Sequence, residues 1–190
     1  MEYLSLFRMP TPMKITGRSS SITNAFINSI IPVVPPTADE VKNALKILGM
    51  TPETFQCAYC GGVASEWDHL RPLVKDKKPT GFISEIHNLV PSCGKCNQSK
   101  GNKEWKTWIL SNAKLSPTAR GITDIAERVK RLDAYERSTA PTKMDFAAIV
   151  GKEVWQQHQN NLERVQSLMR ESQELAAKIN TAVANAYRAL

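Results

Sequence analysis

The chain has 190 residues, a formal net charge of +7 and 42% hydrophobic residues. This length predicts about one domain, and the apolar content is sufficient for a buried core, which excludes wholesale disorder. The pI near 9.3 favours an anionic partner over a charge that serves only solubility. Nucleic acid is the most common such partner.

No stretch of about 18 consecutive apolar residues occurs, so no membrane span is expected. Residues 1–16 lack the continuous apolar core and the small-residue cleavage site of a secretory signal. A chain without such a signal is expected in the cytoplasm. Cysteines stay reduced there, and paired cysteines bind metal rather than form disulfides.

Residues 1–54 predict an N-terminal arm followed by a pair of helices. Apolar residues at every fourth position indicate a first helix over residues 19–31, which the prolines from Pro32 onward end. A capping box at Thr37–Glu40 begins a second helix, and Gly49 ends it. We assign packing alone to these helices.

All four cysteines lie in two Cys-x-x-Cys pairs, Cys57 with Cys60 and Cys93 with Cys96. Each pair places two thiolates where they can bind one metal ion. Together they provide the four-thiolate ligand set of a closed tetrahedral zinc site. The insert between the pairs, residues 61–92, is longer than in a compact zinc ribbon, which indicates that a further unit is built there.

The central region, residues 55–112, predicts a small mixed unit. Residues 63–70 indicate a short strand ending at His69, and residues 71–86 a basic loop. Residues 88–92 then form a return strand or turn, and a helix begins at Gly94.

Hydrolysis of a phosphodiester needs a base for the attacking water and a cation for the charge that develops on the leaving oxygen. Asp68 offers a hard oxygen ligand, and the adjacent His69 offers the base. Neighbours on a strand point to opposite faces, so both serve one site only if the strand ends there. Asn97 offers a second oxygen ligand, and Asn88 can fix the imidazole through the loop backbone. Lys100 lies on the helical face of Asn97 and offers a phosphate contact.

Three motifs together resemble the HNH endonuclease family, which has a ββα-metal fold. They read Cys-x-x-Cys-Gly, Asp-His-x-x-Pro and Asn-Leu-Val-Pro-x-Cys-x-x-Cys-Asn-x-x-Lys, within about residues 55–105. The resemblance implies that His69 is the general base, that Asn88 orients it, and that Asp68 and Asn97 bind the catalytic cation. Asn97 stands where the family often has histidine, which favours Mg²⁺ or Mn²⁺ over nickel or zinc.

Basic residues surround this site, and we expect them to contact the backbone of DNA, with RNA left open as a substrate. They are Arg71, Lys75, Lys77, Lys78, Lys95, Lys100 and Lys103.

Residues 113–190 predict helices. One lies near residues 122–132, and a long one runs from about Gly151 to Leu190 with apolar residues at alternating spacings of three and four. This heptad seam packs either on the chain's own helices, which we favour because its small residues are weak seam formers, or on a second copy in a homodimer.

The expected fold is therefore mainly α, with a small ββα-metal unit closed by a four-cysteine zinc site. The leading functional hypothesis is a metal-dependent DNA endonuclease of the restriction or phage-defence type, with structural zinc and catalytic Mg²⁺ or Mn²⁺. One alternative is a non-catalytic, zinc-stabilised module that binds nucleic acid. Another is a protein-interaction factor that uses the C-terminal heptads.

Overall fold

The computed structural model describes residues 3–190, with Leu4 described by its backbone alone. The first two residues of the predicted N-terminal arm lie outside this range. The α-helices of the described chain are α1 (Ser19–Asn28), α2 (Ala38–Ile47), α3 (Gly94–Lys100), α4 (Trp105–Ile109), α5 (Ile125–Ser138), α6 (Phe146–Val150) and α7 (Lys152–Arg188). Short 3-10 turns lie at Tyr3–Leu6, Ile15–Arg18 and Ile86–Asn88.

Two small antiparallel sheets complete the described regular structure. Strand β1 (Glu66–His69) pairs with β4 (Leu89–Ser92), and β2 (Val74–Lys75) pairs with β3 (Lys78–Pro79). Helix α3 follows β4 directly, so β1, β4 and α3 form a ββα unit. The predicted fold class, mainly helical with a small ββα unit, is confirmed.

The chain divides into two compact units. One is Ile27–Ile149, which we call the cysteine unit because it contains all four cysteines. The other joins residues 3–26 to Val150–Leu190, and we call it the helical unit. The predicted boundaries at residues 54 and 112 stay predictions.

The core of the cysteine unit is aromatic. Trp105 and Trp108 of α4 are buried, and Tyr59 meets the Trp108 ring edge-on with the centroids 5.2 Å apart. Helix α5 adds the buried Leu132 and Tyr135, and the Tyr135 hydroxyl donates to the carbonyl of Ile86, at 2.5 Å, and to that of Leu89. Tyr135 therefore holds the segment that leads into β4 against this core.

The capping box predicted for α2 is present in both directions. The Thr37 hydroxyl accepts from the Glu40 amide at 3.3 Å, and a Glu40 carboxylate oxygen accepts from the Thr37 amide at 2.7 Å. These bonds satisfy two backbone donors that a helix start leaves open. Helix α2 thus begins where the sequence indicates, and it packs Leu45 into the core.

The expectation of a simple loop over residues 71–86 is wrong. The segment contains the hairpin β2–β3, whose two turn residues Asp76 and Lys77 both have positive φ, 51° and 60°. Positive φ at both positions is the type I′ geometry, which matches the twist of paired strands. Its usual sequence signal is a glycine, and neither turn residue is one.

The helical unit is organised by α7. The Gln173 side chain accepts from the Ile15 amide at 2.7 Å, and the Gln166 amide donates to the Thr23 hydroxyl at 2.9 Å. Met169 is buried, whereas Val183, farther along the predicted seam, is 63% exposed. The first half of the seam is therefore packed within the chain, and the homodimer stays a prediction. None of the helices in the described range is long and apolar enough to cross a bilayer.

Candidate metal centre and active site

The four cysteine sulfurs converge on one point. All four Sγ atoms lie within 4.8 Å of one another, and those of Cys60 and Cys93 are 3.7 Å apart. A tetrahedral zinc ion with Zn–S bonds of about 2.3 Å requires sulfurs roughly 3.8 Å apart. The four cysteines therefore fit a zinc ion as ligands.

Backbone bonds build the two halves of this centre. In the first, the Cys57 amide donates to the Gly62 carbonyl at 2.7 Å, and the Gly61 amide donates to the Cys57 carbonyl at 2.9 Å. Gly61 has a φ of 72°, a conformation that side-chain-bearing residues rarely adopt. In the second half, Cys93 is the N-cap of α3, and Cys96 lies in its first turn.

The crowding of the thiols changes their acidity. Hydrogen bonds from Cys57, and next from Cys96, lower the pKa of Cys60. The hydrogen bond to Cys60 raises the pKa of Cys57 to about 11, and the hydrogen bond to Cys57 raises the pKa of Cys96. Zinc ligation requires thiolates, so metal binding here is coupled to proton release.

Arg120 supplies a positive charge to this centre that sequence analysis missed. Its Nη2 atom donates to Cys96 Sγ at 3.1 Å, across 24 positions of sequence. A guanidinium there offsets the negative charge that four thiolates leave on a zinc complex. The sequence carries no signal for this contact, because Arg120 lies beyond the end of the motifs.

The two strands place His69 opposite the start of β4. In the β1–β4 register His69 pairs with Leu89, and Asn88 is the residue just before β4. The fully buried Asn88 side chain accepts from the Arg71 amide at 2.9 Å and donates to the Arg71 carbonyl at 3.0 Å. Asn88 therefore clamps the backbone two residues after His69.

The His69 imidazole is partly buried, and its Nε2 lies 2.8 Å from the Ser84 hydroxyl. Burial, assisted by the charge of Lys100, lowers the pKa of His69 to about 4. The ring is therefore neutral at pH 7, the state in which a histidine can accept a proton. Ser84 is a second contact that the motifs do not indicate.

Asp68 is buried, and its contacts lie on the α3 side of β1. Its Oδ2 accepts from the Tyr59 hydroxyl at 2.6 Å and lies 3.0 Å from Lys100 Nζ. Burial raises the pKa of Asp68 and lowers the pKa of Lys100, against the attraction between the two groups. The cost of burying the two charges thus exceeds their attraction. The ion pair therefore positions the two side chains and adds little to the free energy of unfolding.

The predicted phosphate contact of Lys100 is wrong. Its side chain is fully buried, and Nζ also donates to the His69 carbonyl at 2.6 Å. The stem reaches inward from the last turn of α3 because Asp68 and the end of β1 lie beneath that turn. Lys100 therefore joins α3 to the end of β1, where the Asp68–His69 pair lies.

Asn97 faces β1 as well, but its observed partner is Glu66. The side-chain amide nitrogen of Asn97 donates to Glu66 Oε2 at 2.6 Å. Alternation along β1 puts Glu66 and Asp68 on one face, and the spacing on α3 puts Asn97 and Lys100 opposite them. The structure thus pairs each predicted cation ligand with another residue. Asp68 Oδ1 and the Asn97 side-chain oxygen have no hydrogen-bond partner within residues 3–190.

The remaining predicted nucleic-acid contacts divide into two kinds. Arg71 is half-buried beside Glu136, with an N–O distance of 3.4 Å, and Lys103 Nζ donates to the Ser99 carbonyl at 2.7 Å. The side chains of the other four lysines are exposed and form no hydrogen bond or ion pair with any described residue; they are Lys75, Lys77, Lys78 and Lys95.

Comparison with known proteins identifies the central unit. The family model of the HNH endonuclease matches residues 57–103, from the first cysteine to just beyond α3. The chain therefore contains an HNH endonuclease domain, which confirms the resemblance drawn from the motifs. The CRISPR-associated endonuclease Cas9 of Corynebacterium diphtheriae is 33% identical over 98 residues, which cover 50% of this chain and 8% of that protein. No solved structure matches the chain.

Proposed function

We propose that this protein is a metal-dependent HNH endonuclease that hydrolyses phosphodiester bonds in DNA. The observation that carries the proposal is the His69 imidazole at the end of β1, fixed by Ser84 and next to the Asn88 clamp, within an HNH domain whose four thiols converge on one centre. A scaffold that only binds nucleic acid has no need of an imidazole fixed at this position.

In this mechanism His69 accepts a proton from the water that attacks the phosphorus. The hydrogen bond between Nε2 and the Ser84 hydroxyl limits rotation of the ring, and the Asn88 clamp on Arg71 holds the backbone next to it. Asn88 therefore acts on the base through the backbone. The Cys57, Cys60, Cys93 and Cys96 centre is structural and binds zinc.

Asp68 and Asn97 would hold the catalytic cation, Mg²⁺ or Mn²⁺. The donor set fits, since both residues offer a hard oxygen without a hydrogen-bond partner in the described chain, and both lie at the β1–α3 interface. A divalent cation bound there would supply neutralisation of the charge on the leaving oxygen.

The biological role we infer is defence against foreign DNA, in the cytoplasm. The relative named above is a CRISPR-associated endonuclease, which supports a defence role over a housekeeping one. Since the chain spans 8% of the length of that relative, the activity of the whole relative is not transferred to it. RNA stays open as a second substrate.

One observation favours a second candidate, a non-catalytic zinc module that binds nucleic acid. Lys100 already places a cation 3.0 Å from Asp68, and burial of this pair weakens the case for a second cation there. In that case His69 and Ser84 would only pack the end of the sheet.

Incubation of the purified zinc-loaded protein with plasmid DNA and Mg²⁺ separates the two candidates. We expect wild type to convert supercoiled plasmid to nicked or linear forms, and His69→Ala to bind DNA but cut at least a hundredfold more slowly. His87→Ala is the matched control, because His87 is a partly exposed histidine of the same unit and its loss should leave cutting unchanged. A wild type that cuts neither DNA nor RNA would leave the binding module as the function.

A further inference from the structure

A basic cavity lies in the cysteine unit and is lined by residues that follow β1 and α3 in the chain. Its volume is about 710 Å³, and its lining includes Arg71, which follows His69 by two positions. Asn102, just after α3, lines it as well. The cavity therefore adjoins the end of β1 and the end of α3, the two elements that carry the proposed catalytic groups.

The charged lining of this cavity is mainly cationic. Arg71, Lys75, Lys78 and Lys143 line it against the two carboxylates of Asp76 and Glu104. The Glu104 carboxylate is engaged locally, since it accepts from the backbone amides of Lys106 and Thr107 at the start of α4. The cavity thus has a surplus of positive charge.

Two of these cations share one aromatic ring. The Arg71 guanidinium lies 5.9 Å from the centroid of the Phe82 ring, and Lys143 Nζ lies 5.8 Å from it. Arg71 Nη1 is buried and lacks a hydrogen-bond partner in the described chain, and Lys143 forms no ion pair with residues 3–190. Arg71 Nη2 is paired with Glu136 at 3.4 Å, so the unpaired donors near this ring are Arg71 Nη1 and Lys143 Nζ, and both suit an anionic ligand.

The backbone fixes Lys143 at this position although it lies far along the chain. Lys143 forms an isolated antiparallel bridge with Phe82, and the Met144 amide donates to the Gly81 carbonyl at 2.8 Å. Gly81 has a φ of 94°, and a Cβ there would lie 2.8 Å from the Met144 carbonyl oxygen. A glycine at position 81 therefore permits the close approach that brings Lys143 to the cavity.

From these observations we infer that this cavity binds the sugar-phosphate backbone of the cleaved strand next to the scissile phosphate. Lys143 and Arg71 would contact phosphate oxygens there, and each packs near the Phe82 ring. This inference rests on the proposed function for the identity of the polymer. It adds Lys143 and Phe82, which lie outside the HNH motifs, to the residues that position the substrate.

The test is fluorescence anisotropy with short labelled DNA, single-stranded and duplex, on the zinc-loaded His69→Ala protein so that no cutting occurs. We expect Lys143→Glu to weaken binding on the order of tenfold at low salt and to reduce the dependence of log K on log salt by about one. Phe82→Leu should weaken binding less and in the same direction, because it keeps an apolar side chain but removes the ring.

Lys130→Glu is the matched control, since Lys130 is an exposed lysine of α5 with no ion pair in the described chain and lies outside the cavity lining. A Lys143→Glu protein that binds as tightly as Lys130→Glu would overturn the inference even if wild type cuts DNA. A wild type that never cuts, but loses binding on Lys143→Glu, would support a phosphate-backbone site at this cavity and overturn the endonuclease. Thermal melting of both variants checks that each is folded.

Discussion

The two compact units of this protein achieve order by different means. In the cysteine unit, residues far apart in sequence meet in a closed centre, a small sheet and an aromatic core. In the helical unit, one helix of 37 residues supplies most of the structure, and Met169 is its one buried residue. Chemistry requires groups held in fixed positions, and the cysteine unit holds the proposed catalytic groups in this way.

The largest expected effect is removal of the metal. Apparent zinc-binding free energies of about 10–16 kcal/mol in small zinc domains exceed the stability of most domains. Chelation, or Cys96→Ser, should therefore unfold the cysteine unit and abolish the near-UV circular dichroism of Trp105 and Trp108. The far-UV helical signal of α7 should persist in part, because the helical unit contains no cysteine.

Re-addition of zinc after chelation is the control and should restore the near-UV signal. If the near-UV signal survives a strong chelator, the cysteines are not a structural metal centre. If the helical signal of α7 disappears together with it, the two units do not fold independently.

Removal of the buried cation at Lys100 is expected to have the next largest effect. Lys100→Met preserves most of the side-chain volume but leaves the Asp68 carboxylate buried without its ion-pair partner. Loss of one member of a buried pair costs about 3–5 kcal/mol of unfolding free energy. Urea unfolding measures this loss of unfolding free energy. Lys95→Met, on the exposed face of α3, is the control and should lie within about 0.5 kcal/mol of wild type. Equal stability of the two variants would contradict a stabilising role of Lys100 as the partner of Asp68.

The cysteine unit should also be sensitive to acid through His69. Its pKa is about 4 in the folded protein against 6.5 for an unperturbed histidine, so between these values the unfolded state binds more protons. The unfolding free energy should therefore fall as pH drops from 6.5 to about 4, by up to about 3 kcal/mol, and this contribution should level off below that.

Urea unfolding of wild type and His69→Gln across this range isolates the contribution, because the variant should lack it. His87→Gln should retain the wild-type slope. Identical slopes for wild type and His69→Gln would show that the imidazole is not held neutral by the fold.

In the helical unit, buried and exposed apolar residues lie on the same helix, α7. Met169 is 8% exposed and Val183 is 63% exposed, so Met169→Ala should cost about 2 kcal/mol and Val183→Ala less than about 0.5 kcal/mol. Thermal melting measures both. A Val183→Ala cost as large as that of Met169→Ala, with a dimer mass by light scattering, would support the predicted homodimer.

The smallest effect is expected in the β2–β3 turn. Lys77 has a φ of 60°, where a residue with a Cβ is disfavoured and glycine is not. Lys77→Gly should raise the unfolding free energy by about 0.5–1 kcal/mol, measured by urea unfolding. Lys77→Ala keeps the strain while removing the charge, so a gain seen equally in both variants would point to charge rather than backbone conformation.

The sequence by itself determined those features whose signal is local. Each cysteine pair spans four residues, and so does the α2 capping box, so both signals are visible within a short stretch of sequence. The type I′ turn was missed because its positive-φ residues are Asp76 and Lys77, which give no glycine signal.

Only the tertiary structure decided which partner each functional side chain takes. Asp68 meets Lys100, Asn97 meets Glu66, Arg120 meets Cys96, and Lys143 meets Phe82, all between residues that are 24 or more positions apart. A lysine or an asparagine can bind several kinds of partner, and its residue type alone does not determine which one it meets. Packing selects, because a buried charge or amide must find its complement among the groups that the fold places within reach.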